Sequence, residues 1–401
     1  MTSTASGRRI RLKSDLLKTI ATDLSLAGEM GFNPYYPRTT ARRAGCVQID
    51  GEWFTDFASN DYLGFATDGE LADAYHEAIH RFGVSLCGTP IAAGGNRLLE
   101  QMENRLAGYV GCEAAMAFPS CYQANTSLFA TLFGREDCIL IDHYAHASLV
   151  AGVRSTGCKV MPFIHNDCSH LEKLLGRRNG YRQTAVVTES VFSTEGAIAP
   201  FDRIHELCRH YDALPVIDDS HGIGVIGSNG AGILDHCSIA EFDGLYTASL
   251  GKALANSGGI IAGKKEIIEA LKYRCPGSMY STGIIPAVSA GVLHVLDRIG
   301  ELFPSRYRCL LDNRSIIKTA LEKKGYTLCE SAAPILSVLC GTKRETIRFA
   351  HELYKRHIVA TPFVEPSVPP GRGVVRFIPG AGITAERCHE AASAIETMPA
   401  L

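Results

Sequence analysis

Leu214-Pro215-Val216-Ile217-Asp218-Asp219-Ser220-His221 decides how this chain of 401 residues is read. Four apolar residues run without polar alternation and end abruptly in two carboxylates, a hydroxyl and an imidazole. An unalternating apolar run of this length reads as a strand buried on both faces. Three more such runs precede it: Cys138-Ile139-Leu140-Ile141, Val160-Met161-Pro162-Phe163 and Thr184 to Thr188. Each is followed by polar residues and then a stretch with helical spacing, such as Ser148 to Ser155. Strands alternating with helices imply an α/β fold whose mostly parallel sheet is covered on both faces.

Outward from this core the pattern changes. The spacing of Leu16, Leu17, Ile20 and Leu24 predicts a helix over Asp15 to Leu26, in an N-terminal arm broken by Pro34 and Pro37. Val47-Gln48-Ile49 and Trp53-Phe54-Thr55 flank Asp50-Gly51, a hairpin signal. Leu98, Met102, Leu106 and Tyr109 mark a helix face. After Leu296 come a helix over Asn313 to Lys324, a strand over Ile335 to Leu339, a helix over Lys343 to Arg356, and short strands near Ile358 and over Val374 to Ile378. The expected division is an arm and hairpin over 1–58, a large domain over 59–296 and a small α+β domain over 297–401.

Composition narrows the function. Lys and Arg number 40 against 42 Asp and Glu, and there is one Trp. A near-neutral chain with few aromatic residues offers neither the basic surface nor the stacking platforms of a nucleic-acid binder. The 14 cysteines include no C-x-x-C pair, so they read as reduced thiols of a cytoplasmic protein rather than a disulfide or zinc scaffold. The best apolar stretch, Ile284 to Leu296, is interrupted by Pro286 and His294 and is too short to cross a membrane.

In parallel α/β sheets ligands bind at the carboxyl ends of the strands. The residues expected there are Asp142-His143-Tyr144-Ala145-His146, Thr188-Glu189-Ser190, Asp218-Asp219-Ser220-His221 and Ser249-Leu250-Gly251-Lys252. They gather carboxylates, imidazoles, hydroxyls and one amine. No G-x-S-x-G elbow, H-E-x-x-H motif or metal-ligand spacing is present. Lys252 lies among glycines and small residues, where a planar ligand can approach an amine able to form a Schiff base; alone, it reads as an ordinary surface lysine. Asp218 at a strand tip needs a cationic partner, and a pyridinium nitrogen is one; alone, it reads as a turn-capping carboxylate. Gly222-Ile223-Gly224-Val225-Ile226-Gly227 matches G-x-G-x-x-G, but Ser228-Asn229-Gly230 follows in place of a helix, which argues against a dinucleotide site.

Taken together these residues resemble the fold-type-I pyridoxal 5'-phosphate (PLP) transferases, and among them the α-oxoamine synthase family. The resemblance rests on Ser59-Asn60-Asp61-Tyr62-Leu63-Gly64, His146-Ala147-Ser148-Leu149, His165-Asn166-Asp167, Val191-Phe192-Ser193-Thr194-Glu195-Gly196, Asp218-Asp219-Ser220-His221, Ser249-Leu250-Gly251-Lys252-Ala253, Tyr280-Ser281-Thr282 and Val368 to Phe377. These run in family order over nearly the whole chain. The resemblance implies a large domain with a seven-stranded sheet, a small C-terminal domain, and a homodimer with shared active sites. It implies that Lys252 binds the cofactor covalently, Asp218 pairs with its ring nitrogen, His221 and Ser193 meet its phenolic oxygen, and His146 stacks on the ring. The N–H groups of Cys121 and Tyr122 and the Ser249 hydroxyl would hold the phosphate, with Ser281 and Thr282 reaching it from the second subunit. Asn60 and Arg376 would hold the amino-acid carboxylate.

The activity implied is condensation of an amino acid with an acyl-CoA, or a carrier-protein thioester, with loss of CO2, giving an α-aminoketone. The rivals are an 8-amino-7-oxononanoate synthase with a pimeloyl donor, an aminotransferase on the same fold, and an inactive partner subunit. Three departures stand out: Ser249 for the usual Thr, Thr194-Glu195 for Met-Asp, and Cys87 to Arg97 for a Gly-Ser-rich stretch. Where relatives with carboxylate-ended donors carry an Arg, this chain has Asn33. With Phe32, Tyr35 and Tyr36 beside it, the expectation is an uncharged aliphatic acyl group, unless Arg38, Arg42 or Arg43 replaces the missing charge.

Overall fold

The structure, a computed structural model, describes residues 28–178 and 180–399. The helix expected over Asp15 to Leu26 lies outside the described residues.

The first strands among the described residues are β1 (Thr39–Arg43), β2 (Cys46–Ile49) and β3 (Glu52–Asp56). The β2–β3 hairpin turns on Asp50 and Gly51, both at positive φ, as a two-residue turn between right-twisted strands requires. The main sheet follows: β4 (Ala114–Phe118), β5 (Cys138–Asp142), β6 (Lys159–Phe163), β7 (Thr184–Glu189), β8 (Leu214–Asp218), β9 (Leu245–Ser249) and β10 (Gly259–Gly263). Its order is β4-β10-β9-β8-β7-β5-β6. All neighbours are parallel except β10, which runs antiparallel to both β4 and β9. The last strands are β11 (Leu336–Gly341), β12 (Ile358–Val359), β13 (Thr361–Phe363) and β14 (Gly373–Phe377). β12 adds to β3, and the other three form a small antiparallel sheet in the order β11-β14-β13.

Period-two geometry splits the main sheet's side chains between two cores. Leu140, Val186, Ile217 and Ile260 face one, with Met102 and Leu106 of helix Arg97–Val110 and Ile204 and Leu207 of helix Phe201–His210. Ile139, Val187, Val216 and Ile261 face the other, with Leu128 and Phe129 of helix Cys121–Leu132 and Leu149 and Val153 of helix Ala147–Ser155. This two-sided burial is why β5, β7 and β8 read as unbroken apolar runs. Truncating one such residue, Ile217→Ala, is expected to cost about 2–5 kcal/mol.

A third core lies under the small sheet and joins Ile317, Leu321, Leu353, Phe377 and Ile395. Helix Pro286–Lys323 ties it to the first core. Its Val292, Ile299 and Leu310 pack on the main sheet side and its Ile317 and Leu321 on the small sheet. Position 296/297 lies inside this helix, where helical spacing runs on without a break.

Candidate active site

The carboxyl ends of β4, β5, β7, β8 and β9 lie along one edge of the main sheet. β10 begins at the same edge, since Gly259 pairs with both Phe118 and Ser249. Asp142 to His146, Glu189 to Ser193, Asp218 to His221 and Ser249 to Lys252 therefore converge as the strand-end rule requires.

Asp218 is buried, and its carboxylate is held on both oxygens. Asn125 Nδ2 donates to Oδ2 at 2.7 Å and the Ser220 N–H to Oδ1 at 3.0 Å. Ser148 Oγ lies 2.9 Å from Asn125 Nδ2 and 2.8 Å from His146 Nδ1. His146 also caps helix Ala147–Ser155 by accepting the Ser148 N–H. Burial lowers its pKa, opposed by Asp218 and assisted by Lys252.

The Lys252 carbonyl accepts the Ala255 N–H at 2.8 Å, but its side-chain amine has no hydrogen bond or ion pair among the described residues. Burial depresses the pKa of its amine, Asp218 pulls it back up, and Arg376 adds to the depression. An amine in this position loses its proton readily, which Schiff-base formation requires. Glu189, beside Asp218 in register, is buried too; desolvation first, then Asp218, drives it well above the usual carboxylate range.

Cys121 and Tyr122 open helix Cys121–Leu132, whose N-cap Ser120 accepts the Gln123 N–H. The two N–H groups before Gln123 have no intrahelical acceptor, and a helix start favours an anion. A Cβ on Gly259 would lie 2.4 Å from Cys121 Cα, so glycine is required for the helix start to sit this close to β10. Ser249 lies opposite: its N–H donates to Ser220 Oγ at 2.9 Å, and its hydroxyl accepts the Gly251 N–H.

Arg376 on β14 brings in the small sheet. Its guanidinium is buried, donates to the Ser193 carbonyl at 2.8 Å and to Asn60 Oδ1 at 3.1 Å, and lies over the Phe363 ring at 4.9 Å. Its Nε is buried without a partner among the described residues. A buried cation with spare donors suits a carboxylate. Tyr62 of the same Asn60-Asp61-Tyr62 turn contacts His221, Oη to Nδ1 at 2.8 Å.

Among the described residues no hydrogen bond joins Ser281 or Thr282 to the Lys252 cluster within the chain; Ser281 Oγ contacts the Thr282 carbonyl and the next residue, Gly283, bonds to Gly88. The G-x-G-x-x-G stretch has a packing explanation: a Cβ on Gly222 would fall 1.8 Å from Asp219 Oδ1, and Gly224 and Gly227 have positive φ. Gly222 closes on Asp219, which accepts from Tyr246 Oη at 2.8 Å and the Ile233 N–H at 2.9 Å, while Gly224 sits against Ala253 and Gly227 against Asp235. Asn125 was not foreseen. Its one sequence signal is a polar residue one helical turn after Cys121, on the same face.

An anion cradle at a helix start, a bound carboxylate near a buried amine, and a carboxylate receptor suit PLP and an amino acid. The aminotransferase class I and II profile matches residues 53–395. A 2-amino-3-ketobutyrate coenzyme A ligase of Salmonella typhimurium is 33% identical over 387 residues, covering 96% of this chain and 97% of the relative. An 8-amino-7-oxononanoate synthase of Bacillus subtilis is 32% identical over 350 residues, covering 87% and 89%. The chain belongs to the α-oxoamine synthases. As a member it is a PLP-dependent acyltransferase. The fold of this synthase is that of Sphingomonas wittichii serine palmitoyltransferase, with a TM-score of 0.91 at 23% identity, covering 96% and 97% of the two chains.

Proposed function

We propose that this synthase condenses an amino acid with an acyl-CoA thioester, releasing CoA and CO2 and forming an α-aminoketone, and that it works as a homodimer to which Ser281 and Thr282 contribute across the interface. The observation that carries the reading is Arg376: a buried guanidinium, braced by Asn60 and Ser193, whose Nε has no partner among the described residues. It suits the carboxylate of an amino acid near Lys252.

PLP supplies, when bound, an electron sink for charge developing at the amino acid's α-carbon. The Cys121 and Tyr122 N–H groups and the Ser249 hydroxyl would hold its phosphate. Asp218 would keep its ring nitrogen protonated, held in place by Asn125 and Ser220. His146 would cover one ring face, and His221 and Ser193 would meet the phenolic oxygen. Lys252, its amine made less basic by burial, would attach the cofactor and, once displaced by substrate, take the α-proton. Arg376 and Asn60 would fix the carboxylate, and with it the bond that breaks to give CO2.

For the acyl group we propose an uncharged aliphatic chain. Asn33 Oδ1 accepts the Tyr35 N–H at 2.9 Å and brings no charge. Arg42 pairs with Asp56 at 3.3 Å and Arg43 lies over the Trp53 ring at 4.1 Å, so each would have to leave a partner to serve a donor carboxylate. One expected apolar contact is spent elsewhere: Phe32 stacks on His351, with ring centroids 4.4 Å apart, and leans on Tyr354. Tyr35 and Tyr36 are exposed.

The test is release of free CoA by PLP-loaded protein across a matrix of amino acids and acyl-CoAs. CoA release with an α-aminoketone product is expected. Conversion of the amino acid to its keto acid, with no CoA released from any donor, would make the chain an aminotransferase.

A further inference from the structure

Tyr62 and His221 are both buried, the phenol oxygen lies 2.8 Å from Nδ1, and the rings meet edge-on at 88° with centroids 6.1 Å apart. Two proton arrangements fit that contact: the phenol O–H donates to Nδ1, or Nδ1–H donates to the phenol oxygen. In the second, the phenol proton would be left without an acceptor, because the Tyr62 hydroxyl has no other partner among the described residues. Leaving a buried donor unsatisfied costs about 1–3 kcal/mol. Whereas the second leaves both the phenol O–H and the Nε2 lone pair unpaired, the first arrangement pairs the phenol and leaves only Nε2–H open among the described residues.

The surroundings agree with it. Burial raises the pKa of the Tyr62 phenol and keeps its proton on. Burial first, then Lys252 and Arg376, pushes the His221 imidazole well below its ordinary value, so the ring is neutral. A neutral imidazole carries one N–H, and the partner of one nitrogen decides which. With Nδ1 accepting, the proton sits on Nε2, at the far end of the ring from Tyr62, where no group among the described residues pairs with it.

We propose that Tyr62 is a positioning residue that fixes His221 as the Nε2–H tautomer and so makes it an obligate hydrogen-bond donor to the phenolic oxygen of the cofactor. The role toward the cofactor rests on the assignment of His221 above. A fixed donor favours the anionic oxygen; a ring free to choose its tautomer could turn an acceptor toward it instead.

The test uses PLP-loaded protein labelled with nitrogen-15 histidine. The His221 signals are assigned by their absence in His221→Gln. Wild type is expected to show Nδ1 unprotonated and accepting, and Nε2 protonated. In Tyr62→Phe the ratio of visible to near-ultraviolet absorbance of bound PLP should fall several-fold, while Tyr62→Phe and wild type denature at similar temperatures. A protonated Nδ1 in wild type overturns the inference and needs no variant, so it holds even where Tyr62→Phe fails to fold. An unchanged absorbance ratio in Tyr62→Phe also overturns it, provided that His221→Gln shifts the ratio. If neither variant moves the ratio while the wild-type tautomer is as stated, the tautomer-setting role of Tyr62 is upheld and the assignment of His221 to the cofactor fails.

Discussion

One amide joins three elements of the site: Asn125 Nδ2 donates to Asp218 Oδ2 at 2.7 Å and lies 2.9 Å from Ser148 Oγ, which in turn lies 2.8 Å from His146 Nδ1. Helix Cys121–Leu132, which carries the proposed anion cradle, is thereby locked to the tip of β8 and to the ring proposed to cover the cofactor.

Asn125→Ala removes one hydrogen bond to a charged group, a loss of about 1.5–3 kcal/mol. PLP affinity is expected to fall roughly ten- to hundredfold, and Asn125→Asp, which sets a second carboxylate against Asp218, further still. Equilibrium titration with PLP checks this, and unchanged affinity in both variants would contradict it.

Arg376→Ala is expected to raise the KM for the amino acid by roughly a hundredfold, the scale of a lost charge-assisted clamp. The KM for the acyl donor should change little, and Asn60→Ala should act in the same direction but less. Equal effects on both substrates would mean that Arg376 braces the fold or binds the donor.

Asp219 gives a prediction about stability. Burial lifts its pKa from the ordinary 3.8 to about 7. Between roughly pH 4 and pH 7 the native state holds a proton that the unfolded chain has released, so native stability falls as pH rises through that window and levels off above it. Asp219→Asn has no such proton and keeps an acceptor for Tyr246 and Ile233. The variant should therefore gain on wild type as pH rises from about 4 to about 7. Urea unfolding across that range checks it; a constant gap between the two proteins would refute it.

How far the sequence could be read follows from the physics of each element. β5, β7 and β8 were legible because burial on two faces writes an apolar run. β4, Ala-Ala-Met-Ala-Phe, and β10, Gly-Ile-Ile-Ala-Gly, were not foreseen, because alanine and glycine carry little strand signal. In β10 the first glycine is there for the approach of Cys121, a constraint that only the tertiary structure reveals. Lys252 and Asp218 stood out as polar residues at strand ends. Asn125 sits inside a helix and Tyr62 reads as core, so neither announces its partner. Phe32 was expected at the acyl chain, yet an aromatic ring packs wherever a matching surface lies, and here that is His351.

The acyl preference can be measured by competing pimeloyl-CoA against an alkyl acyl-CoA of similar length. The uncharged Asn33 and the engaged Arg42 and Arg43 lead us to expect faster turnover of the alkyl donor. A clear preference for pimeloyl-CoA would reverse the proposal and point to 8-amino-7-oxononanoate synthesis.

The central claim is that Lys252 carries the cofactor. PLP-loaded protein reduced with borohydride and digested should yield a single pyridoxyl-modified peptide containing Lys252, and Lys252→Ala should yield none while still binding PLP reversibly. A stoichiometric pyridoxyl group on any other lysine, or none on Lys252 in protein that turns over, would contradict the account.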